Sequence, residues 1–212
     1  FFKKPEVNTY YYFTYGNIHK VALLGIFGAI LGYGGYTDYQ KMLNKSKKAE
    51  PLSESFPPFY EKLQNLRISI IPNYPKGYIP KKIQVFNNSV GYASKEQGGN
   101  LIVKEQWLEN PSWDICFLVD SEEAEVLEQI LVQKKCVYIP YLGKNDHYAD
   151  ITNVRIFEGQ EIAMEEAVLD CLFRKHDISG YAMDDDDLED DEELEPFKYE
   201  EKLPYALNPF TN

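Results

Sequence analysis

The chain has 212 residues, 22 of them basic and 34 acidic, with 44% hydrophobic and 15% aromatic composition. This can fill the core of one domain, or one and a half, and it excludes wholesale disorder, a collagen-like repeat and a small disulfide-stapled module. The net charge of −12 is concentrated in one place: ten acids and no base lie between Asp184 and Glu195, and outside that run 24 acids face 22 bases, leaving room for a local basic face.

The first residues, Phe1 to Pro5, read as the tail of a strand whose beginning is clipped. Asn17 is a fair N-cap for a helix in which Val21, Leu24, Phe27, Ile30 and Leu31 recur at helical spacing. Gly25, Gly28 and Gly32 lie within it, each costing about 1 kcal/mol relative to alanine. That cost implies close backbone approach, by a sheet packed on that face or by a ligand near the helix start. The apolar run Val21–Tyr36 is shorter than the roughly 20 residues that cross a bilayer. A buried core helix is therefore expected, although Gly28 and Gly32 have the spacing of a membrane helix pair. Thr37 to Glu50 carry the chain outward, and Pro51, Pro57 and Pro58 mark a loop.

Alternation predicts a strand over Arg67–Ile71. Lys82–Phe86 and Leu101–Leu108, joined by a link holding Gly91, Gly98 and Gly99, predict a protruding hairpin. A further strand is expected over Ile115–Val119, then a helix capped by Asp120 or Ser121 with Val126, Leu127, Ile130 and Leu131 inward. A strand over Cys136–Ile139 follows, Ile151–Phe157 alternates, and Ile162–Leu172 reads as a helix through Met164, Val168, Cys171 and Leu172. The order is that of a split βαβ, ferredoxin-like or RNA-recognition-like α+β fold with an inserted hairpin. Many functions use that fold, so function has to come from sites.

Several chemistries lack their residues. Cys116, Cys136 and Cys171 are odd in number and far apart, and His19, His147 and His176 are scattered. That argues against zinc and against a secreted disulfide framework, and suits a reducing cytoplasm. His176-Asp177 is half of a metal-dependent phosphohydrolase dyad without the further histidines such a site needs. No phosphate-cradling Gly-x-x-x-x-Gly-Lys-Ser/Thr loop occurs. The acidic run lacks the turn glycine and ligand spacing of a calcium loop, and reads as a disordered, self-repelling segment that keeps the chain soluble or shields a basic surface.

Two segments suit an anion. Asn17, Ile18, His19 and Lys20 open the glycine-bearing helix, where backbone N–H groups and the dipole favour phosphate; the same residues also read as an ordinary capped helix with an exposed lysine. In the loop Tyr141–Asp150, Gly143 allows backbone approach, Lys144 can pair with phosphate, Asn145 and His147 can read polar base edges, and Tyr141 and Tyr148 can stack. By composition alone this loop is also an ordinary strand-to-strand turn. Tyr15 and Tyr141 are stacking candidates among the 17 tyrosines, while Trp107 and Trp113 are expected to anchor the hairpin to the sheet or to a neighbour.

Four stretches give the sequence a family resemblance: Phe-Lys-Lys-Pro at 2–5, His-Lys-Val-Ala-Leu-Leu-Gly-Ile-Phe-Gly-Ala-Ile-Leu-Gly-Tyr-Gly-Gly-Tyr at 19–36, Lys-Glu-Gln-Trp-Leu-Glu-Asn-Pro-Ser-Trp at 104–113, and Tyr-Leu-Gly-Lys-Asn-Asp-His-Tyr-Ala-Asp-Ile at 141–151. In that order they resemble the family-five CRISPR-associated proteins of the RAMP superfamily, in particular those of type I-B Cascade complexes. The second and fourth stretches are specific, and Glu201-Lys202-Leu203-Pro204-Tyr205 is similar to the family's closing segment.

The resemblance implies an RNA-recognition-like domain over residues 1–157 with a β-hairpin thumb at about 81–108. A C-terminal extension, 158–212, would carry the acidic run. It implies a cytoplasmic, membrane-free ribonucleoprotein subunit that grips the 5′ handle of CRISPR RNA and touches the Cascade backbone and large subunits. Target double-stranded DNA is then met through the complex, with guide pairing reading the sequence. The candidate RNA-binding set is Asn17, His19, Lys20, Lys81, Lys104, Gly143, Lys144, Asn145 and His147, with no catalytic residue, metal or cofactor assigned.

Two alternatives stay open. One branch of the family trims the CRISPR precursor as a metal-independent endoribonuclease, and Lys175-His176 is the adjacent Lys-His pair here. The other alternative is a purely structural subunit whose loops bind protein neighbours.

Overall fold

The computed structural model describes residues 1–5, 11–46, 55–89, 91, 95–163, 169–177 and 199–208. The elements run α1 (Lys20–Leu31), α2 (Tyr36–Ser46), α3 (Pro58–Leu63), β1 (Ile68–Pro72), β2 (Lys81–Asn87), β3 (Ile102–Leu108), β4 (Trp113–Phe117) and α4 (Glu122–Val132). This is a mixed helix and sheet architecture with small antiparallel sheets, compatible with an α+β class. Strands β1 and β4 pair antiparallel, as do β2 and β3, giving two two-stranded sheets among the described residues.

Helix α1 is the centre of the core. Val21, Leu23, Leu24, Ile26, Phe27, Gly28 and Ile30 are all buried, as expected of a helix that is apolar nearly all round. Against it pack Phe59, Tyr60 and Leu63 of α3, Ile70 of β1, and Ala124 and Leu127 of α4. Helix α4 starts as expected: Ser121 accepts a hydrogen bond from the Ala124 amide at 3.3 Å, and Glu122, Glu123 and Glu125 offset the dipole in the first turn.

The close approach expected at the α1 glycines is made by a helix, not by a sheet or ligand. A Cβ on Gly28 would lie 2.5 Å from Phe59 Cβ, so the missing side chain is what lets α3 seat. Gly32 ends the helix in the left-handed region (φ +79°), with Val137 packed against it. Both glycines of the Gly28-x-x-x-Gly32 spacing are therefore occupied within the chain. Among the described residues no single helix is long and apolar enough to cross a membrane.

Several sequence expectations are corrected. The helix cap is His19, not Asn17: its ring nitrogen accepts from the Ala22 amide at 3.2 Å. Residues 36–46, expected as polar chain leading outward, form α2. The expected strand at Cys136–Ile139 is instead a bend laid on the end of α1: the Val137 and Tyr138 amides donate to the carbonyls of Ile30 and Ala29 at 2.9 and 3.0 Å. Those are the orphan carbonyls that every helix end leaves, and they outcompeted a ladder for the donors. Residues 151–157 form no strand either and stand exposed, Ile156 at 65% and Phe157 at 72%. Alternation defines two faces but supplies no neighbour to pair with. Of the expected late helix, Met164 and Val168 lie outside the described residues; Cys171 and Leu172 are not helical, and the Leu172 amide donates to the Ile70 carbonyl at 2.8 Å. The acidic run at 184–195 also lies outside the described residues.

The expected hairpin is present, with Lys81 opposite Leu108 and Asn87 opposite Ile102. Period-two alternation puts Lys82, Gln84 and Phe86 on one face with Trp107, Glu105 and Val103, and Lys81, Ile83 and Val85 on the other with Leu108, Gln106 and Lys104. Tyr12 extends the edge of β3, donating to the Lys104 carbonyl and accepting from the Gln106 amide, both at 2.8 Å. Residues 199–208 return to the body, where Leu203 and Leu207 pack on the core and the Leu207 amide donates to the Tyr60 hydroxyl at 3.1 Å.

Candidate nucleic-acid interface

Residues 1–4 tie the two predicted anion segments together. The Phe1 ring lies under the Lys144 ammonium, 5.9 Å from the ring centre, and a Cβ on Gly143 (φ +78°) would overlap the Phe1 carbonyl. One residue on, the Phe2 ring meets His19 edge-on at 6.0 Å and Trp113 at 6.2 Å. Lys4 then pairs with Glu201 at 2.6 Å. Two segments more than 120 positions apart thus converge on four residues, beside the inner face of the β2–β3 hairpin.

At the first segment, Asn17 is buried to 1% exposure and spent structurally. Its side-chain oxygen accepts from the Trp113 indole at 3.0 Å, and its amide group donates to the Gly77 carbonyl at 3.5 Å. His19 brings no cation at neutral pH. Burial lowers its pKa to about 4 against a smaller opposing pull from Glu201, and its cap bond requires an unprotonated nitrogen. Lys20 turns away from its own helix start and donates to the Gln64 carbonyl at 2.9 Å, with the Tyr205 ring at 5.5 Å. Partial burial, then the charge of Arg174, lowers its pKa. It lines an open cleft of about 540 Å³ together with Tyr60, Gln64, Arg67 and Tyr205. The expected seat is therefore dispersed: three of its residues do three different things. Tyr15 is buried at 7% against His19 and has no open face for a base.

The second segment is a closed turn. The Leu142 amide donates to the His147 carbonyl at 2.7 Å, the His147 amide to the Lys144 carbonyl at 3.0 Å, and Tyr141 bridges Tyr148. Lys144 does not point to solvent; it donates to the Glu105 carboxylate at 2.9 Å among the rings of Phe86 (5.2 Å) and Trp107 (5.4 Å). The Trp107 indole donates to the same carboxylate at 2.7 Å, and its ring meets His147 edge-on at 4.6 Å. Trp107 thus joins the hairpin to the loop, whereas Trp113, expected to anchor the hairpin, lies on β4 and joins that strand to Asn17. Burial lowers the His147 pKa, so its ring too is neutral at pH 7. Asn145, Tyr141 and Tyr148 are exposed, the last two at 47% and 69%.

Lys81 and Lys104 share the outer hairpin face. Lys104 is exposed, whereas Lys81 sits at the base near Glu201 and Lys4, where burial lowers its pKa. Sequence reasoning missed Lys4, Gly16 and Glu201. Glu201 accepts from the Gly16 amide at 2.7 Å and the Tyr199 hydroxyl at 2.9 Å in addition to Lys4. Burial raises its pKa, but these hydrogen bonds and Lys81 outweigh it and leave the carboxylate below its ordinary range. A signal existed in the Lys4 and Tyr205 motifs, but nothing local joins residues 185 positions apart.

At Lys175-His176, the lysine donates to Glu200 at 3.2 Å in a 3₁₀ turn, while Arg174 holds Asp177 bidentately at 2.6 and 2.7 Å and His176 is exposed. Among the described residues no group of three or more His, Cys, Asp or Glu could hold a metal ion.

No protein-family model matches the chain. No curated protein matches it either. Among solved structures, a chain of a CRISPR RNA-guided surveillance complex is similar, with a TM-score of 0.49 and 13% identity over 72% of this chain. The match spans 58% of that chain's length.

Proposed function

We propose that the protein is a cytoplasmic RNA-binding subunit of a type I-B Cascade-like complex. In this reading it holds the 5′ handle of CRISPR RNA without cutting it and contacts the backbone and large subunits, through which target DNA is met. The observation that carries the reading is the set of hairpin lysines, Lys81 and Lys104 on one face and Lys82 on the other, beside the 141–150 loop that Phe1 and Trp107 hold against the hairpin. Cations on such a surface attract phosphates, and the exposed Asn145, Tyr141 and Tyr148 offer polar and stacking contacts to single-stranded bases. Binding without cleavage fits a Lys175 engaged by Glu200, since that lysine would have to serve as the cation of a cutting site.

Ultraviolet cross-linking of the tagged chain in its own cells, followed by sequencing of the attached RNA, tests this reading. Reads within the CRISPR RNA 5′ handle are expected. Recovery of no such RNA overturns it and favours a purely protein-binding subunit. Repeat RNA shortened in EDTA by the pure chain, and spared by His176→Ala, would establish the nuclease instead.

A further inference from the structure

The Glu201 contact is unusual in its parts. A carboxylate from the C-terminal segment sits on the backbone amide of Gly16, the ammonium of Lys4 and the hydroxyl of Tyr199, with the charge of Lys81 alongside. Gly16 makes this possible: a Cβ there would run into Tyr199 and Glu201, so the missing side chain forms the cradle that admits the acid. An amide N–H beside the Lys4 ammonium, with the charge of Lys81 in range, is equally a seat for a phosphate oxygen, because both anions present paired oxygens to charge-assisted donors.

We propose that Lys4, the Gly16 amide and Lys81 form a phosphate seat for an RNA backbone, and that Glu201 occupies it as an internal stand-in which the RNA displaces. The proposal rests on the RNA-binding reading above and adds its regulation. The holding segment is suited to leave. Residues 199–208 form no helix or strand, and Glu200, Lys202, Tyr205 and Ala206 are exposed, so the segment is held by Leu203 and Leu207, by ring contacts of Tyr199 with Tyr78 and of Tyr205 with Arg174 and Lys20, and by a few polar contacts. RNA has the advantage of several phosphates, because a chain engaged at Lys104, on the same hairpin face as Lys81, presents further phosphates at high local concentration.

The test is fluorescence anisotropy of a labelled 5′-handle RNA with the full chain, comparing wild type, Glu201→Gln, Tyr199→Phe, Lys4→Gln and the Lys4→Gln/Glu201→Gln double variant. Glu201→Gln should tighten binding by about tenfold, the correction for a competent state about one-tenth populated, and steepen the salt slope by about 1. Tyr199→Phe should act in the same direction but less, giving a second reading if Glu201→Gln folds poorly. Lys4→Gln, alone or in the double variant, should cancel the gain.

RNA bound by wild type but no more tightly by either loosened variant overturns the displacement and leaves the RNA reading intact. If no variant binds RNA, the RNA reading fails and inorganic phosphate decides the seat. A Tm raised by phosphate in Glu201→Gln and not in the double variant retains the seat, and no rise in Glu201→Gln overturns it.

Discussion

The two lysine-bearing regions are both neutralised inside the fold, but by acids of different standing. Lys144 meets Glu105, which is buried on β3 and fixed by the Trp107 indole, so that carboxylate cannot leave without opening the hairpin. Lys4 meets Glu201, carried on an irregular segment 185 residues from the amide it shares. The first pair is architecture; the second is a contact that can be exchanged. A cation in a sequence therefore says little about binding until its internal partner, and the mobility of that partner, are known.

The strongest way to break this distinction is to remove each acid in turn. Glu105→Ala leaves the Trp107 indole N–H without its acceptor and Lys144 with the exposed Asp146 at 3.8 Å, and should cost about 1–3 kcal/mol in urea unfolding, the penalty for unsatisfied buried polar groups. Glu201→Gln keeps hydrogen-bonding capacity and should cost about 1 kcal/mol or less. Equal losses would erase the difference between the two regions.

The two regions should also differ in the pH window where acid weakens them: the Phe1 amino group beside Lys144, lowered by burial to about 6, loses its contribution between pH 8 and 6, and the His19 and Glu201 region responds at lower pH. His19 has a folded pKa of about 4 against 6.5 for a free histidine, so the unfolded chain takes up the proton first. Stability contributed by the neutral ring is complete above pH 6.5 and falls as pH drops toward 4, by up to about 3 kcal/mol. Glu201, with its lowered pKa, weakens in the same direction as acid protonates it. His19→Asn keeps a capping side chain and removes the titration, so its stability between pH 6.5 and 4 should be flatter than that of wild type. Matching pH profiles would place the sensitivity elsewhere.

The helix that carries this region gives a sharper, smaller contrast. Gly28→Ala should destabilise by about 1–3 kcal/mol, since Phe59 Cβ, fixed to its backbone, cannot rotate away. Gly25→Ala meets Phe59 only at ordinary contact distance, 3.9 Å, and should gain up to about 1 kcal/mol from helix propensity. Thermal melts of the two variants should therefore move in opposite directions.

The smallest effects concern RNA. Lys104→Ala on the exposed hairpin face should lower the salt slope of handle binding by about 1 with stability unchanged. Lys144→Ala should alter stability first, because its ammonium is engaged by Glu105.

The amino-acid sequence by itself determined the elements whose signals are local. The apolar periodicity of α1, the Ser121 cap of α4, and the alternation and glycine-bearing link of the β2–β3 hairpin, Lys81 to Leu108, each lie within one continuous stretch of chain and depend on local backbone geometry. Tertiary structure decided everything that required a distant partner. Residues 136–139 have the pattern of a strand, yet the end of α1 took their amide donors; residues 151–157 alternate without a neighbour to complete a ladder. The glycines of α1 announced a close approach without naming Phe59. Lys20, Lys144 and His19 are cationic or titratable side chains in any listing of the sequence, but burial, Gln64, Glu105 and Ala22 settle their charge and direction. Glu201 reaches Gly16 only once the chain has folded back, because a charge acts through space while a sequence motif acts along the chain.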